Sequence, residues 1–422
     1  MKICPLFLTL LPITSCIVCR SDYTLINGKT CLKYYSTPVT HTVAEQNCKL
    51  DGGLLATAKN AIDNRALASL ANSAGASEIW LGLACFGNTS DVCYWDDTRG
   101  TAQAYSNFMP GSQSENVGYC VEMLTGSSFG VNQGKWKSVP CNAQNFPTIR
   151  SFPYVCEVPP TTSFSPCDVN YNGYCYWRSK NLTGGKLNFK QAADVCAQRG
   201  AGTKLVSIHS KMEVDLIKTI HRGSVTNFIY IGAQHRFGDT YAWIDGSEWD
   251  FNYVHPLDLQ TQKCLVMDVS SGGAGLWLKR DCSEQYEFLC KQKIPSTVPE
   301  NLVPESTPPI ILDSTNCNST FVMAPGQISS YPALGAPTTY CSWRVLALGP
   351  YKVGIYFDYW STYGELDFYN EYGVLMGKIP GGLDRPTLSF ETYTNVGFIT
   401  FTPKIPSGPE VDKGFHAVLL PV

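Results

Sequence analysis

The strongest constraint on this chain is an internal repeat built around cysteines. Cys19 and Cys31 open one copy, and Cys167 and Cys175 open the other. A helical pattern carrying a cysteine follows in each: Thr42-Val-Ala-Glu-Gln-Asn-Cys48 and Asn188-Phe-Lys-Gln-Ala-Ala-Asp-Val-Cys196. Thr42 with Glu45 predicts a capping box, and Asn188 is a good N-cap. A short Leu-rich strand comes next (Leu54, Leu55; Leu205, Val206), then a second helix. In the second copy Ser210 and Glu213 predict another capping box, with Met212, Leu216, Ile217 and Ile220 as the apolar stripe. Ile79-Trp-Leu-Gly-Leu83 and Ile229-Tyr-Ile-Gly-Ala233 then read as buried strands, followed by Trp95-Asp-Asp and Trp243-Ile-Asp-Gly. Cys120, Cys141 and Cys156 close the first copy, and Cys264, Cys282 and Cys290 the second. In both, about 70 residues separate the helix cysteine from the next one. Order, residue type and spacing agree, so the domain is duplicated.

The 18 cysteines point to an oxidising compartment and a disulfide framework. Lys2, the apolar run Ile3 to Ile13, and then Thr14, Ser15 and Cys16 have the layout of a signal peptide, placed at 1–18. The run is too short to span a bilayer, and no later stretch is apolar for the length a span needs. A secreted, extracellular chain is therefore expected, with sequons at Asn88, Asn181 and Asn318. The 32 Lys+Arg against 35 Asp+Glu offer no basic excess for nucleic acid. Charged residues are 16% and aromatics 12%, too little charge and too much ring surface for a disordered chain. Two Pro-rich stretches, 158–166 and 293–310, read as extended linkers. They leave segments 19–157, 167–292 and 311–422, and the longer linker is expected to hold the third segment apart.

The helix cysteine, the second helix, the Trp-Leu-Gly-Leu type strand and the later C…W…C…C order resemble the C-type lectin-like domain over both copies. The resemblance implies an α+β fold: two helices flanking two small antiparallel sheets, with a long loop region that bears the ligand site. It implies the bridges Cys48–Cys156 and Cys120–Cys141 in the first copy, and Cys196–Cys290 and Cys264–Cys282 in the second. The N-terminal pairs Cys19–Cys31 and Cys167–Cys175 add to these. Cys85–Cys93 is similar to a feature of nematode secreted lectin-like proteins. The third segment, with Tyr340-Cys-Ser-Trp-Arg-Val345 and alternating runs such as Val353-Gly-Ile-Tyr-Phe357, is similar to a CUB domain. That implies an all-β sandwich with Cys317–Cys341 as its first bridge; the second CUB bridge is absent, and an unrelated β-sandwich is the alternative. Once Cys4 and Cys16 leave with the signal peptide, these eight bridges use every remaining cysteine.

Sugar-binding members of the family hold calcium with a Glu-Pro-Asn or Gln-Pro-Asp loop and a Trp-Asn-Asp strand, because the ion needs hard anionic oxygen ligands. Here the first loop reads Phe108-Met-Pro-Gly111 and its strand Trp136-Lys-Ser-Val-Pro-Cys141, which puts Met109, Gly111, Lys137 and Ser138 at ligand positions. The second loop reads Val254-His-Pro-Leu257 and its strand Trp277-Leu-Lys-Arg-Asp-Cys282, with Leu278 and Lys279 at ligand positions. No metal ligand set and no cofactor are therefore expected. Glu115, Asn116 and Glu122 are the candidates for a displaced polar site. In the third segment Gly364 stands where calcium-binding CUB domains carry Asp. Trp80, Trp95, Trp136, Trp243 and Trp277 are expected in the core, and Tyr105 and Trp249 as exposed rings for ligand.

An enzyme is not expected. The six histidines, at 41, 209, 221, 235, 255 and 416, form no H-E-x-x-H, and there is no P-loop. Asp96 and Asp97 are neighbours on a strand and point to opposite faces. Two classes remain. One is an innate-immune recognition protein that binds glycans, microbial surface polysaccharide or an extracellular protein without calcium. The other is a structural or matrix protein whose modules act as adhesive spacers.

Overall fold

The computed structural model describes residues 17–20, 22–86, 89–112, 119–141, 150–162, 167–182, 185–237, 240–294, 321–330, 340–383, 387–404 and 412–422. Residues 1–16, Asn88, Glu115, Asn116, Cys317 and Asn318 lie outside them.

The two lectin-like copies build the same sheet. In the first the strand order is Thr24–Ile26, Thr30–Val39, Phe152–Val158, Glu78–Cys85, Tyr119–Leu124, Trp136–Pro140. In the second it is Val169–Tyr171, Tyr174–Arg178, Glu287–Lys293, Phe228–His235, Cys264–Asp268, Trp277–Arg280. Short strands branch off at matching places: Cys93–Trp95 beside Glu78–Cys85, and Tyr241–Trp243 beside Phe228–His235. The pairings are antiparallel except where the Trp-Leu-Gly-Leu type strand meets the last strand of the copy, which is parallel.

Each copy carries two helices, His41–Leu50 and Ala61–Ser73, then Phe189–Gln198 and Lys211–Ile220, besides a short turn of helix at Ser179–Leu182. Asn188 and Gln191 form a reciprocal capping box. The other two boxes differ from expectation, for the same reason. Ser210 accepts from the Glu213 N–H at 3.2 Å, but the Glu213 carboxylate accepts from His209 N–H, from Tyr176 OH at 2.7 Å and from Lys291 Nζ at 2.5 Å. The first helix begins at His41, one residue before Thr42, and Glu45 turns inward to His41. In both cases a buried partner outbids the local cap.

Seven disulfides join described cysteines: Cys19–Cys31, Cys48–Cys156, Cys85–Cys93, Cys120–Cys141, Cys167–Cys175, Cys196–Cys290 and Cys264–Cys282. Cys341 is also disulfide-bonded, and no described cysteine is free.

The third segment is all-β. One sheet has the order Val322–Met323, Cys341–Leu346, Val396–Thr402, Glu365–Asn370, Leu375–Ile379; the other has Gly326–Ser329, Gly414–Pro421, Val353–Ser361, Leu388–Glu391. Alternate residues of both, among them Trp343, Ile355, Phe357, Phe368, Phe401 and Phe415, share one core, which makes this a sandwich. Gly364 sits against that core: a Cβ there would come within 2.3 Å of the Phe401 ring.

By contacts the chain divides into two units: Met1–Tyr35, Asn47–Ala56 and Val155–Glu305; and Ser36–Gln46, Thr57–Tyr154 and Ser306–Val422. Within the first, Lys49 reaches Asp215 at 3.8 Å and the Arg222 guanidinium donates to Leu50 O at 2.9 Å. Ile17–Val18 pairs with Thr161–Thr162, so the stretch expected as a plain linker begins as a strand. Within the second, Ala84, Phe86 and Tyr94 form one apolar cluster with Met323, Leu346, Leu348 and Val396 of the sandwich. The expectation that the longer linker holds the third segment apart is thereby corrected. Burying these rings together removes apolar surface from water, which no linker composition can signal.

Candidate functional site

The long-loop region of the first copy is organised by Trp136. The strand Trp136–Pro140 pairs with Tyr119–Leu124, which places Lys137 opposite Glu122. The Trp136 ring is fully buried, and its Nε1–H donates to Asn64 Oδ1 at 2.7 Å. Trp95, Tyr105 and Phe108 meet it edge-on at centroid distances of 5.7, 5.6 and 5.4 Å. The loop is laced to the same strand: Trp136 N–H donates to Asn107 O and Met109 N–H to Trp136 O, both at 3.0 Å. Asn64 was not singled out by sequence, since a polar residue inside Ala61–Ser73 reads as a solvated helix position; it is buried because Trp136 needs an acceptor.

The second copy repeats this frame with other side chains. Trp277 N–H donates to Tyr253 O at 2.9 Å and His255 N–H to Trp277 O at 2.8 Å. Around the buried Trp277 ring stand Trp243, Trp249 and Phe251 at 5.3, 5.5 and 5.8 Å. Trp249 also stacks on Tyr241, with centroids 5.3 Å apart and planes at 22°. Tyr105 and Trp249 are thus half-buried capping rings, each with part of its surface in solvent. Trp80, Trp95, Trp136, Trp243 and Trp277 are all buried. Asn181 is exposed on the short helix Ser179–Leu182.

The described residues at the family's calcium positions do not fit that ion. Glu122, the described candidate for a displaced site, pairs across the sheet with Lys137 and is fully buried. Arg150 approaches its carboxylate at 3.2 Å and Lys137 at 4.0 Å, so cations already fill the space beside it. Burial raises its pKa, and Arg150 works against that shift. In the second copy the Asp258 carboxylate accepts from the Lys279 backbone N–H at 2.5 Å, and Leu278 packs on the apolar core. Hard-oxygen coordination needs convergent free carboxylates, and neither loop supplies them among the described residues.

A second group of ionisable side chains lies in the interior of the first copy, away from these loops. His41, Glu45 and Asp96 are buried, with ligand-type atoms within 4.8 Å of one another. The strand expected to carry both aspartates ends at Trp95, so Asp96 and Asp97 lie in the turn that follows it, and Asp97 pairs with Lys59 at 2.5 Å. Burial alone would lower the His41 pKa, but Glu45, with Asp96 and the Leu81 carbonyl, outweighs it and lifts it to about 9. Burial and then Glu45 push the Asp96 carboxyl well above the usual range. Reading each copy alone missed this group. Its signal is in the copy-to-copy comparison, where Phe189, Ala193 and Ile244 hold the matching positions.

The Lectin C-type domain family model matches residues 37–158 and 185–292. C-type lectin domain-containing protein 38 of Caenorhabditis elegans is 33% identical over 290 residues, covering 68% of this chain and 70% of that protein. Lymphocyte antigen 75 of Mesocricetus auratus is 28% identical over 238 residues, 51% of this chain and 12% of that much longer protein. Among solved structures, ovocleidin-17 of the Gallus gallus eggshell calcified layer is 22% identical, covers 31% of this chain and 99% of its own, and has a TM-score of 0.28. Two matched regions that together take in more than half of the sequence, each with the doubly bridged sheet and Trp-centred loop described above, place this chain in the C-type lectin domain family, with two copies of the domain.

Proposed function

We propose that the chain is a secreted recognition protein whose lectin-like modules bind carbohydrate, on glycans or microbial surface polysaccharide, without calcium. The observation that carries this reading is Glu122: fully buried and flanked by Arg150 and by Lys137, which itself stands at a position where the family's sugar-binding members carry a calcium ligand. Half-buried rings, Tyr105 in the first copy and Trp249 in the second, offer each copy its own stacking surface. The disulfide-rich frame suits an extracellular setting, and among the described residues no helix is long and apolar enough to cross a membrane. The CUB-like sandwich serves as a further interaction module.

Without a metal, hydroxyl-rich ligands are held by hydrogen bonds that replace those to water, each netting about 0.5–1.5 kcal/mol. Affinity per module is then low, and repetitive surfaces are favoured because a second contact becomes intramolecular. The test is a glycan array, together with whole bacteria, probed by the secreted full chain after chelator treatment, with calcium added back or withheld. Equal binding in both conditions is the expected result. Binding that returns only with calcium overturns the reading.

A further inference from the structure

The helix cysteines set the two copies in residue-by-residue register. His41 stands as far before Cys48 as Phe189 before Cys196, and Glu45 matches Ala193 in the same way. Asp96 and Ile244 each follow the hairpin tryptophan, and each donates its N–H to the matching glycine carbonyl: Asp96 to Gly82 at 3.0 Å and Ile244 to Gly232 at 2.8 Å. In the second copy Phe189, Ala193 and Ile244 belong to one apolar cluster. In the first, all three positions are ionisable and still buried, with His41 1%, Glu45 6% and Asp96 2% exposed. Three apolar-to-ionisable changes that meet at one interior point require a reason beyond packing.

Geometry supplies one. The Leu81 carbonyl can only accept, so the 2.9 Å contact from His41 Nε2 fixes the proton on that nitrogen. Nδ1 is thereby turned to Glu45, 3.4 Å away. No N–H or hydroxyl group donates to either Asp96 carboxylate oxygen, and its side-chain partner is the Glu45 carboxyl, a contact that only a shared proton or a cation makes favourable. The charged groups acting most strongly on it are Glu45, His41 and Asp97, with no Lys or Arg among them. The fully buried Trp80 ring closes one side, edge-on to His41 at 5.2 Å. Two carboxylates so close in a dry interior are costly unless positive charge stands between them; a protonated His41 offsets one of them, and a divalent ion on its Nδ1 would offset both.

We propose that His41, Glu45 and Asp96 form a buried site for a divalent ion of the zinc class. One imidazole nitrogen and two carboxylate oxygens suit zinc, whereas calcium and magnesium take oxygen ligands. A tetrahedral zinc with bonds of 2.0–2.2 Å places its ligand atoms about 3.4 Å apart, the spacing that Nδ1 and Glu45 already have. A small side-chain rotation brings in Asp96, and a water completes the set. The Leu81 carbonyl plays the supporting part usual for a metal-bound histidine, holding the ring by its other N–H. These are not the loop positions at which the family's sugar-binding members hold calcium.

The experiment uses the secreted full chain, stripped with chelator and then dialysed against micromolar zinc or cobalt. The expected results are about one equivalent of zinc per chain by elemental analysis, a rise in melting temperature with zinc, and a visible cobalt band without thiolate charge transfer. Asp96→Asn keeps the shape and should weaken zinc at least tenfold. The triple variant H41F/E45A/D96I, which installs the second copy's own residues, should fold and bind none. Failure of the stripped, folded wild type to take up zinc overturns the site and leaves the cluster neutralised by protons. Retention of a full equivalent by the folded triple variant, or an unchanged zinc affinity in folded Asp96→Asn by competition with a chelator, overturns it too, by placing the ion elsewhere.

Discussion

The two lectin-like copies share a sheet, a bridge pattern and a tryptophan-centred loop, yet they bury different polar groups. The first holds His41, Glu45 and Asp96 between its first helix and the Trp-Leu-Gly-Leu strand. The second fills that space with Phe189, Ala193 and Ile244, and instead buries Glu213 with Lys291 and Tyr176 beside its second helix. The frame is common because cysteine bridges and strand pairing constrain the backbone whatever fills the interior. The filling diverges because a buried charge is tolerated wherever a partner stands within reach, and each copy found its partners at a different place.

The largest expected effect probes the common frame. Cys48–Cys156 closes a loop of 108 residues and Cys196–Cys290 one of 94, so on chain-entropy grounds each is worth about 4–5 kcal/mol. C48A/C156A and C196A/C290A should therefore lower stability in urea unfolding by similar amounts. A markedly unequal loss would mean that the copies do not share their frame energetically.

Next comes the difference in filling. Lys291→Met strips the ammonium from Glu213, whose carboxylate is buried, and should cost about 3–5 kcal/mol. Adding Glu213→Leu should recover most of that, because the unpaired charge is then gone. If the double variant is as unstable as the single one, the cost lies in packing and not in charge.

The smallest effect is in pH. His221, in the second copy, is buried, and desolvation lowers its pKa below 6.5 despite the Ile217 carbonyl. Its native form is neutral, so below about pH 6.5 the unfolded chain gains a proton that the native chain does not. Stability contributed above that pH is lost as pH falls towards the folded value. His221→Gln should flatten this part of the melting-temperature profile between pH 7 and about 5.5, and an unchanged slope would assign it to other groups.

Much of this architecture was legible in the residues. Cysteine order and the two short buried strands pointed to a duplicated lectin-type domain, and alternation of apolar residues to a β-rich third segment. The five framework tryptophans read as core, and they are buried. The candidate site was legible mainly in what it lacks: Met109, Lys137, Leu278 and Lys279 offer a calcium ion no anionic side chain. Glu122 read as a candidate ligand, and the structure turns it inward onto Arg150. Two capping boxes read from Thr42–Glu45 and Ser210–Glu213 gave way to tertiary partners.

Sequence by itself determined the periodic and covalent features: the repeat, the bridge skeleton and the alternation of strands. These depend on spacing along the chain, and spacing is what a sequence records. Tertiary structure alone decided which polar groups meet. His41 and Asp96 lie far apart in sequence and come together only because the hairpin turns back onto the first helix. The docking of Phe86 and Tyr94 on Leu346 and Val396 was decided the same way. Burial of an ionisable or apolar side chain has its energetic meaning only once its neighbours are known, and those neighbours come from distant segments that no local pattern pairs.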